Sequence, residues 1–143
     1  MSRLLHLLLI GLVSATCSLG AFAETAVQSI ANADRLWTEG KQDEAQNAFE
    51  AAVASEPSSA ALRLRLAGFQ LAQQQTTECI ANYQKVISQE PKNSKAWIGL
   101  GLAYLHSSRA SLARAAFLEA VRVDPARKEK LAPLIAKLDE RKA

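Results

Sequence analysis

Histidine and cysteine are scarce, two of each in 143 residues, and the two tryptophans and two tyrosines belong to an aromatic fraction of only 6%. If Cys17 is removed with the N-terminal segment, only Cys79 remains and no internal disulfide can form. A zinc site needs three or four converging Cys, His or carboxylate ligands. His6 and His106 lie a hundred residues apart, and Cys17 and Cys79 are also far apart in the chain. No glycine-rich phosphate loop occurs, and no Ser–His or Cys–His arrangement suggests a nucleophile and its base. Asp43-Glu44 and Asp139-Glu140 read as solvated charge. The sequence therefore assigns no catalytic residues, no metal and no cofactor, and the chain is read as a non-enzyme. Net charge is only +3, too slight for a nucleic-acid-binding face.

What is present is alanine, leucine and a spatial order in the charge. Hydrophobic residues make up 49% of the chain, a composition suited to closely packed helices. Residues 24–91 carry five Lys/Arg and nine Asp/Glu; residues 92–143 carry eleven and five. The folded chain should be electrostatically polar along its length, with a basic C-terminal end.

Residues 1–23 read as a secretory signal peptide. Arg3 supplies the positive start, Leu4 to Val13 is apolar except for His6, and Ala21-Phe22-Ala23 offers a small-x-small cleavage signature before Glu24. Cleavage after Ala23 would leave residues 24–143 as the mature domain, in a bacterial periplasm. Residues 4–23 are also long enough to serve as an uncleaved membrane anchor. Lipid attachment at Cys17 is a third route, though Ser14 and Thr16 fit its usual pattern poorly. Once the signal is removed, Cys79 alone remains, at a position that wants a small residue.

The strongest signal is a period. Pro57, Pro91 and Pro125 are 34 residues apart, and so are Phe49, Tyr83 and Phe117, and Ala45, Cys79 and Ala113. The last unit is the clearest. Trp97, Leu100, Gly101 and Tyr104 fall on one face of a first helix, and Ala113, Phe117 and Ala120 on one face of a second. Gly101, Ala113 and Ala120 let two backbones approach, and Trp97, Tyr104 and Phe117 fill the space around that contact. This pattern resembles the tetratricopeptide repeat (TPR), a helix-turn-helix unit of 34 residues. The units run 26–59, 60–93 and 94–127. The first departs from the pattern at Ser29 and Asn32. The second has Arg63 and Gln70 where the third has Trp97 and Tyr104, so its first helix should pack less tightly.

Local chemistry places helices at 26–39, 42–54, 60–73, 76–88, 94–107 and 110–122. Gly40 suits the first turn, Ser59 and Asn93 suit N-caps, and each proline should stop the helix before it. Leu131, Leu134, Ile135 and Leu138 form an apolar stripe, giving a terminal capping helix at about 130–141, with Pro133 in its first turn.

The resemblance implies an all-α fold, a right-handed α-solenoid of three TPR units and a capping helix, whose first helices line a concave groove. It implies protein–protein interaction: an adaptor, scaffold or assembly factor of an envelope complex, binding an amphipathic helix or apolar peptide of a partner protein. The family's groove positions fall on Val27, Ile30, Asp34 and Trp37, then Ala61, Leu64, Gly68 and Leu71, then Lys95, Ile98, Leu102 and Leu105. Some relatives clamp a terminal carboxylate with Lys and Asn at positions occupied here by Ile30 and Asp34, so that clamp is absent. A set this apolar is also compatible with self-filling by the C-terminal helix, or with a homo-oligomer.

Overall fold

A computed structural model describes residues 18–140, with side chains from residue 27 onward. Seven α-helices follow one another in that span: α1 (Ser18–Thr38), α2 (Gln42–Ser55), α3 (Ala60–Ala72), α4 (Thr76–Gln89), α5 (Ser94–His106), α6 (Ala110–Val123) and α7 (Lys128–Glu140), with a short 3-10 turn (Pro125–Arg127) before the last. The helices pack as the hairpins α1/α2, α3/α4 and α5/α6, each stacked on the next, and α7 lies against α6. The chain is an all-α solenoid.

The 34-residue period is written into the backbone itself. Glu56, Glu90 and Asp124 follow α2, α4 and α6 with nearly one conformation, φ −133, −130 and −142 and ψ 75, 77 and 87. Each precedes a proline, whose ring disfavours helical geometry in the residue before it. The chain thus leaves the helix at the same point three times. Ser59 and Asn93 then open α3 and α5, their side chains accepting from the amides of Leu62 and Ala96.

The tight turns inside the hairpins repeat as well. Gly40, Gln74 and Ser108 all take the left-handed conformation, with φ of 79, 60 and 59. In the first turn Gly40 N–H bonds Trp37 carbonyl and Lys41 N–H bonds Leu36 carbonyl, each at 3.0 Å. Gln75 and Arg109 make the equivalent long bonds to Gln70 and Tyr104 at 2.9 and 2.8 Å. This is the glycine-favouring helix end, yet two of the three turns place a side chain there. Gln74→Gly and Ser108→Gly should each stabilise the fold by roughly 0.5–1 kcal/mol, because the relief of left-handed strain exceeds the entropy glycine adds to the unfolded chain. Urea denaturation of the single variants measures this, and a loss of stability in both would count against a strained turn.

The core divides into three clusters. Ala33, Leu36, Phe49, Leu62, Leu66 and Phe69 close the N-terminal seam. Tyr83, Val86, Cys79 and Leu100 occupy the middle. Phe117, Ala113, Ala120, Leu131 and Leu138 join α6 to α7. Cys79 is fully buried and its thiol donates to Thr76 carbonyl at 3.2 Å. Burial pushes that thiol up, which keeps it protonated and inert.

Two expected helix boundaries differ. α1 already covers residues 18–25, ahead of the expected start at 26, because that start was taken from the boundary of the first repeat and residues 18–25 contain no helix breaker beyond one glycine. α7 begins at Lys128, so Pro133 sits inside the helix rather than in its first turn. Leu131 and Leu138 are both buried against α6, and Arg114 of α6 pairs with Asp139. That anchorage on both sides of Pro133 offsets the backbone bond the proline cannot make. The signal-peptide segment up to Cys17, and the last residue of the expected capping helix, lie outside the described residues.

The second hairpin differs from the third in kind. Arg63 donates to Pro57 carbonyl at 3.1 Å, as Trp97 Nε1 does to Pro91 carbonyl at 2.9 Å. Arg63 also donates to Asn82, and Asn82 donates to the buried Gln70 at 2.7 Å. A polar network therefore stands where the third unit uses two rings. Trp97 itself is half-buried and packs on both the middle and the C-terminal clusters, whereas Phe117 and Leu100 are buried.

Candidate functional site: a groove along the first helices

The residues anticipated from the repeat pattern lie along α1, α3 and α5, but they do not form one uniform surface. A hollow of ≈ 400 Å³ is lined by Ile30, Ala61, Leu64, Arg65, Tyr83 and Lys95. It brings together Ile30, Leu64 and Lys95 of the anticipated set, one from each hairpin, and Ala61 between them. Its floor is aliphatic and its edge carries two cations.

Asp34 does not stand alone at this edge. Its carboxylate is ion-paired with Arg65 across the α1–α3 seam. The pair is largely exposed, so it contributes little stability; its local effect is to neutralise Arg65 and leave Lys95 as the unpaired cation of the hollow among the described residues. Lys95 is exposed at the start of α5.

Tyr83 forms part of the base. Its ring is held in a slot made by two glycines. A Cβ at Gly99 would lie 2.2 Å from the ring, and one at Gly68 would lie 3.9 Å from its hydroxyl. Burial pushes the Tyr83 hydroxyl up to about 12, so the base of the hollow stays neutral.

The other anticipated residues are placed differently. Trp37 is half-buried and meets Phe69 edge-on, with centroids 5.5 Å apart. It packs on the N-terminal cluster and is thus partly structural. Leu71 is half-buried against the middle cluster. Ile98, Leu102 and Leu105 are half-buried and pack on the cluster that contains Leu131 and Leu138 of α7. Val27 is exposed, about midway along α1. The open hollow therefore sits mainly over the first two hairpins and reaches the third only at Lys95, whereas the other groove positions of α5 are engaged with the C-terminal cluster.

Sequence reasoning missed Arg65 and Tyr83. Tyr83 had been read only as the repeat's packing ring; the signal for a second role is Gly99, whose missing side chain opens the way to it. Arg65 adjoins a groove position in sequence, and only the α1–α3 packing angle swings it to the edge. Among the described residues no group of three or more His, Cys, Asp or Glu could hold a metal ion, and no helix is long and apolar enough to cross a membrane.

Two sequence profiles of the tetratricopeptide repeat match the chain, at residues 70–128 and 36–81, and together they span residues 36–128. With three stacked hairpins in one repeating backbone conformation, this chain belongs to the tetratricopeptide-repeat family. No curated protein matches it in sequence. Solved structures resemble it in fold. The Yersinia enterocolitica type III secretion chaperone SycD, in complex with a peptide of the translocator YopD, aligns with a TM-score of 0.75 at 17% identity, over 84% of this chain and 96% of that one. PcrH, in complex with the chaperone-binding region of PopD, gives 0.75 at 17% identity over 85% and 96%. The first TPR domain of Spaghetti (RPAP3), bound to an HSP90 peptide, gives 0.74 at 14% over 82% and 93%. The family is one of protein-interaction modules, and a module of that class is what this chain is.

Proposed function

We propose that this chain is an exported adaptor or assembly factor that holds an apolar or amphipathic segment of a partner polypeptide in the groove of its first two hairpins. Residues 1–23 serve as its address, cleavage follows Ala23, and residues 24–143 work in a bacterial periplasm. The observation that carries the reading is the hollow itself: an aliphatic floor of Ile30, Ala61 and Leu64, open to solvent, with Lys95 beside it. An exposed apolar recess of this kind marks an interface, and an amphipathic segment laid along a groove is a recurrent way to cover one. The three structural relatives named above are all complexed with peptides of partner proteins, which is consistent with such an occupant. Binding needs no cofactor.

The test is site-specific photocrosslinking from position 64 in native cells, with the mass of the exported chain read in parallel. The expected outcome is a chain beginning at Glu24 and one dominant crosslinked partner. Capture should fall at least about 10-fold, the loss of roughly 1.4 kcal/mol, in Ile30→Asp, which alters the floor without touching the crosslinking position. Helicity should be unchanged. Equal capture by Ile30→Asp with helicity intact would remove the groove as the binding surface, and an uncleaved mass would remove the exported soluble form.

A further inference from the structure

Tyr83 carries a hydroxyl that the packing does not ask for. Its place in the repeat is taken by Phe49 one unit earlier and by Phe117 one unit later, 1% and 0% exposed. A bare ring therefore satisfies the core at this position. Tyr83 is itself only 5% exposed and lines the hollow, yet its hydroxyl makes no hydrogen bond among the described residues. A buried hydroxyl without a partner lowers stability. The two glycines frame this end of the ring: a Cβ at Gly68 would lie 3.9 Å from the hydroxyl oxygen, and one at Gly99 would lie 2.7 Å from it. Burial keeps the group protonated, so it offers a proton to whatever lies in the hollow.

The rest of the polar lining has the same sense. The polar side chains around the hollow are those of Arg65, Tyr83 and Lys95, and all three are donors. Arg65 is committed to Asp34. Lys95 has no ion-pair partner among the described residues. It stands one turn before Gly99 on α5, about 6 Å along the helix, and its flexible stem can bring the ammonium towards the Tyr83 hydroxyl. Ile30, Ala61 and Leu64 supply the aliphatic remainder. Two free donors, one of them cationic, are complementary to an anionic acceptor. We propose that the partner segment held in the groove carries an Asp or Glu side chain among its aliphatic residues, and that this carboxylate accepts from Tyr83 Oη and Lys95 Nζ while the aliphatic residues cover Ile30 and Leu64. A chain end is not the source, because Ile30 and Asp34 stand where a terminal-carboxylate clamp would need Lys and Asn. The inference rests on the groove reading and adds to it the requirement for an acid.

The probe is a fluorescein-labelled, end-blocked helical peptide with Leu at i, i+3 and i+7, Glu at i+4, and Ala and Gln elsewhere; its counterpart has Ala at i+4. The protein is the chain as recovered from the expressing cell. The expected result is saturable anisotropy with the Glu peptide and affinity at least about 10-fold weaker for the Ala peptide. Tyr83→Phe installs the residue of both sister units, so it should fold with helicity and urea midpoint unchanged. It should weaken the Glu peptide by about 10-fold and leave the Ala peptide unchanged, a coupling that a purely structural role would not produce. Lys95→Gln should act in the same way. Ile30→Asp should abolish binding of both peptides. Equal affinity for the two peptides, with both lost in Ile30→Asp, would keep the groove and overturn the acid requirement, as would a Tyr83→Phe variant that binds the Glu peptide like the parent. Undiminished binding of both peptides by Ile30→Asp would remove the groove itself. If neither peptide binds, the acid requirement falls, and crosslinking from position 64 decides the groove separately. An Ala peptide with a free C-terminal carboxylate that matches the Glu peptide would give the site to a chain end, and a dimer in sedimentation that Lys95→Gln dissociates would give it to a second copy; either overturns the proposal.

Discussion

Phe69→Ala should lower stability by about 3–5 kcal/mol, the cost of truncating a buried phenylalanine in a packed core. Phe69 is 1% exposed, and it meets two other rings: Trp37 at 5.5 Å edge-on and Phe49 at 5.2 Å, tilted by 40°. Those contacts come from α1 and α2, so Phe69 is where the second hairpin holds the first. Repeat proteins derive much of their stability from such neighbour interfaces, and each unit touches only the units beside it. The loss should therefore be local as well as large. Single-tryptophan variants separate the two ends. In Phe69→Ala the Trp37 emission should move to the red and its urea midpoint should fall well below that of Trp97. Coincident transitions for both tryptophans would mean that the solenoid unfolds as one unit and that the N-terminal seam is not its weak point.

Gly99→Ala should destabilise the chain by roughly 1–2 kcal/mol, even though alanine is the better helix former. Two effects oppose one another. Replacing a mid-helix glycine by alanine favours the helix by up to about 1 kcal/mol. Forcing an extra carbon into a filled core typically costs about 1–3 kcal/mol. The geometry decides the sign. The added Cβ would lie 2.2 Å from both Cε1 and Cζ of Tyr83, and that ring is 5% exposed. The ring must move, and the adjoining free space is the hollow between Ile30, Ala61 and Leu64. Gly99→Ala should thus reduce crosslinking from position 64 along with stability. In a Tyr83→Ala background the same change should become neutral or stabilising, so a double-mutant cycle isolates the clash. Gly99→Ala as stable as the parent chain would show that the ring has another place to go.

The sequence by itself determined the unit and its count. Three prolines at one spacing read as three helix stops, since a proline disfavours helical geometry in the residue before it; Pro133, held inside α7 by contacts on both sides, is the exception that tertiary packing makes. Ser59 and Asn93 are local caps that need nothing beyond their own first turn. The aliphatic residues along one face of each first helix were readable for the same reason: a period of 3.6 puts them there in any context.

Tertiary structure alone decided which of those residues form an open site. Phe69 carries no repeat signature, and its equivalent in the third unit is Ala103; it becomes central only because Trp37 and Phe49 close on it from another hairpin. Gly99 resembles any helical glycine until Tyr83 of α4 is set against it. Ile98, Leu102 and Leu105 match the groove pattern as well as Ile30 and Leu64 do, yet they pack on the cluster shared with α7. Periodicity fixes the side of a helix on which a residue stands. What stands opposite is set by contacts between residues far apart in the chain, and those depend on packing angles and side-chain volumes that no local spacing encodes.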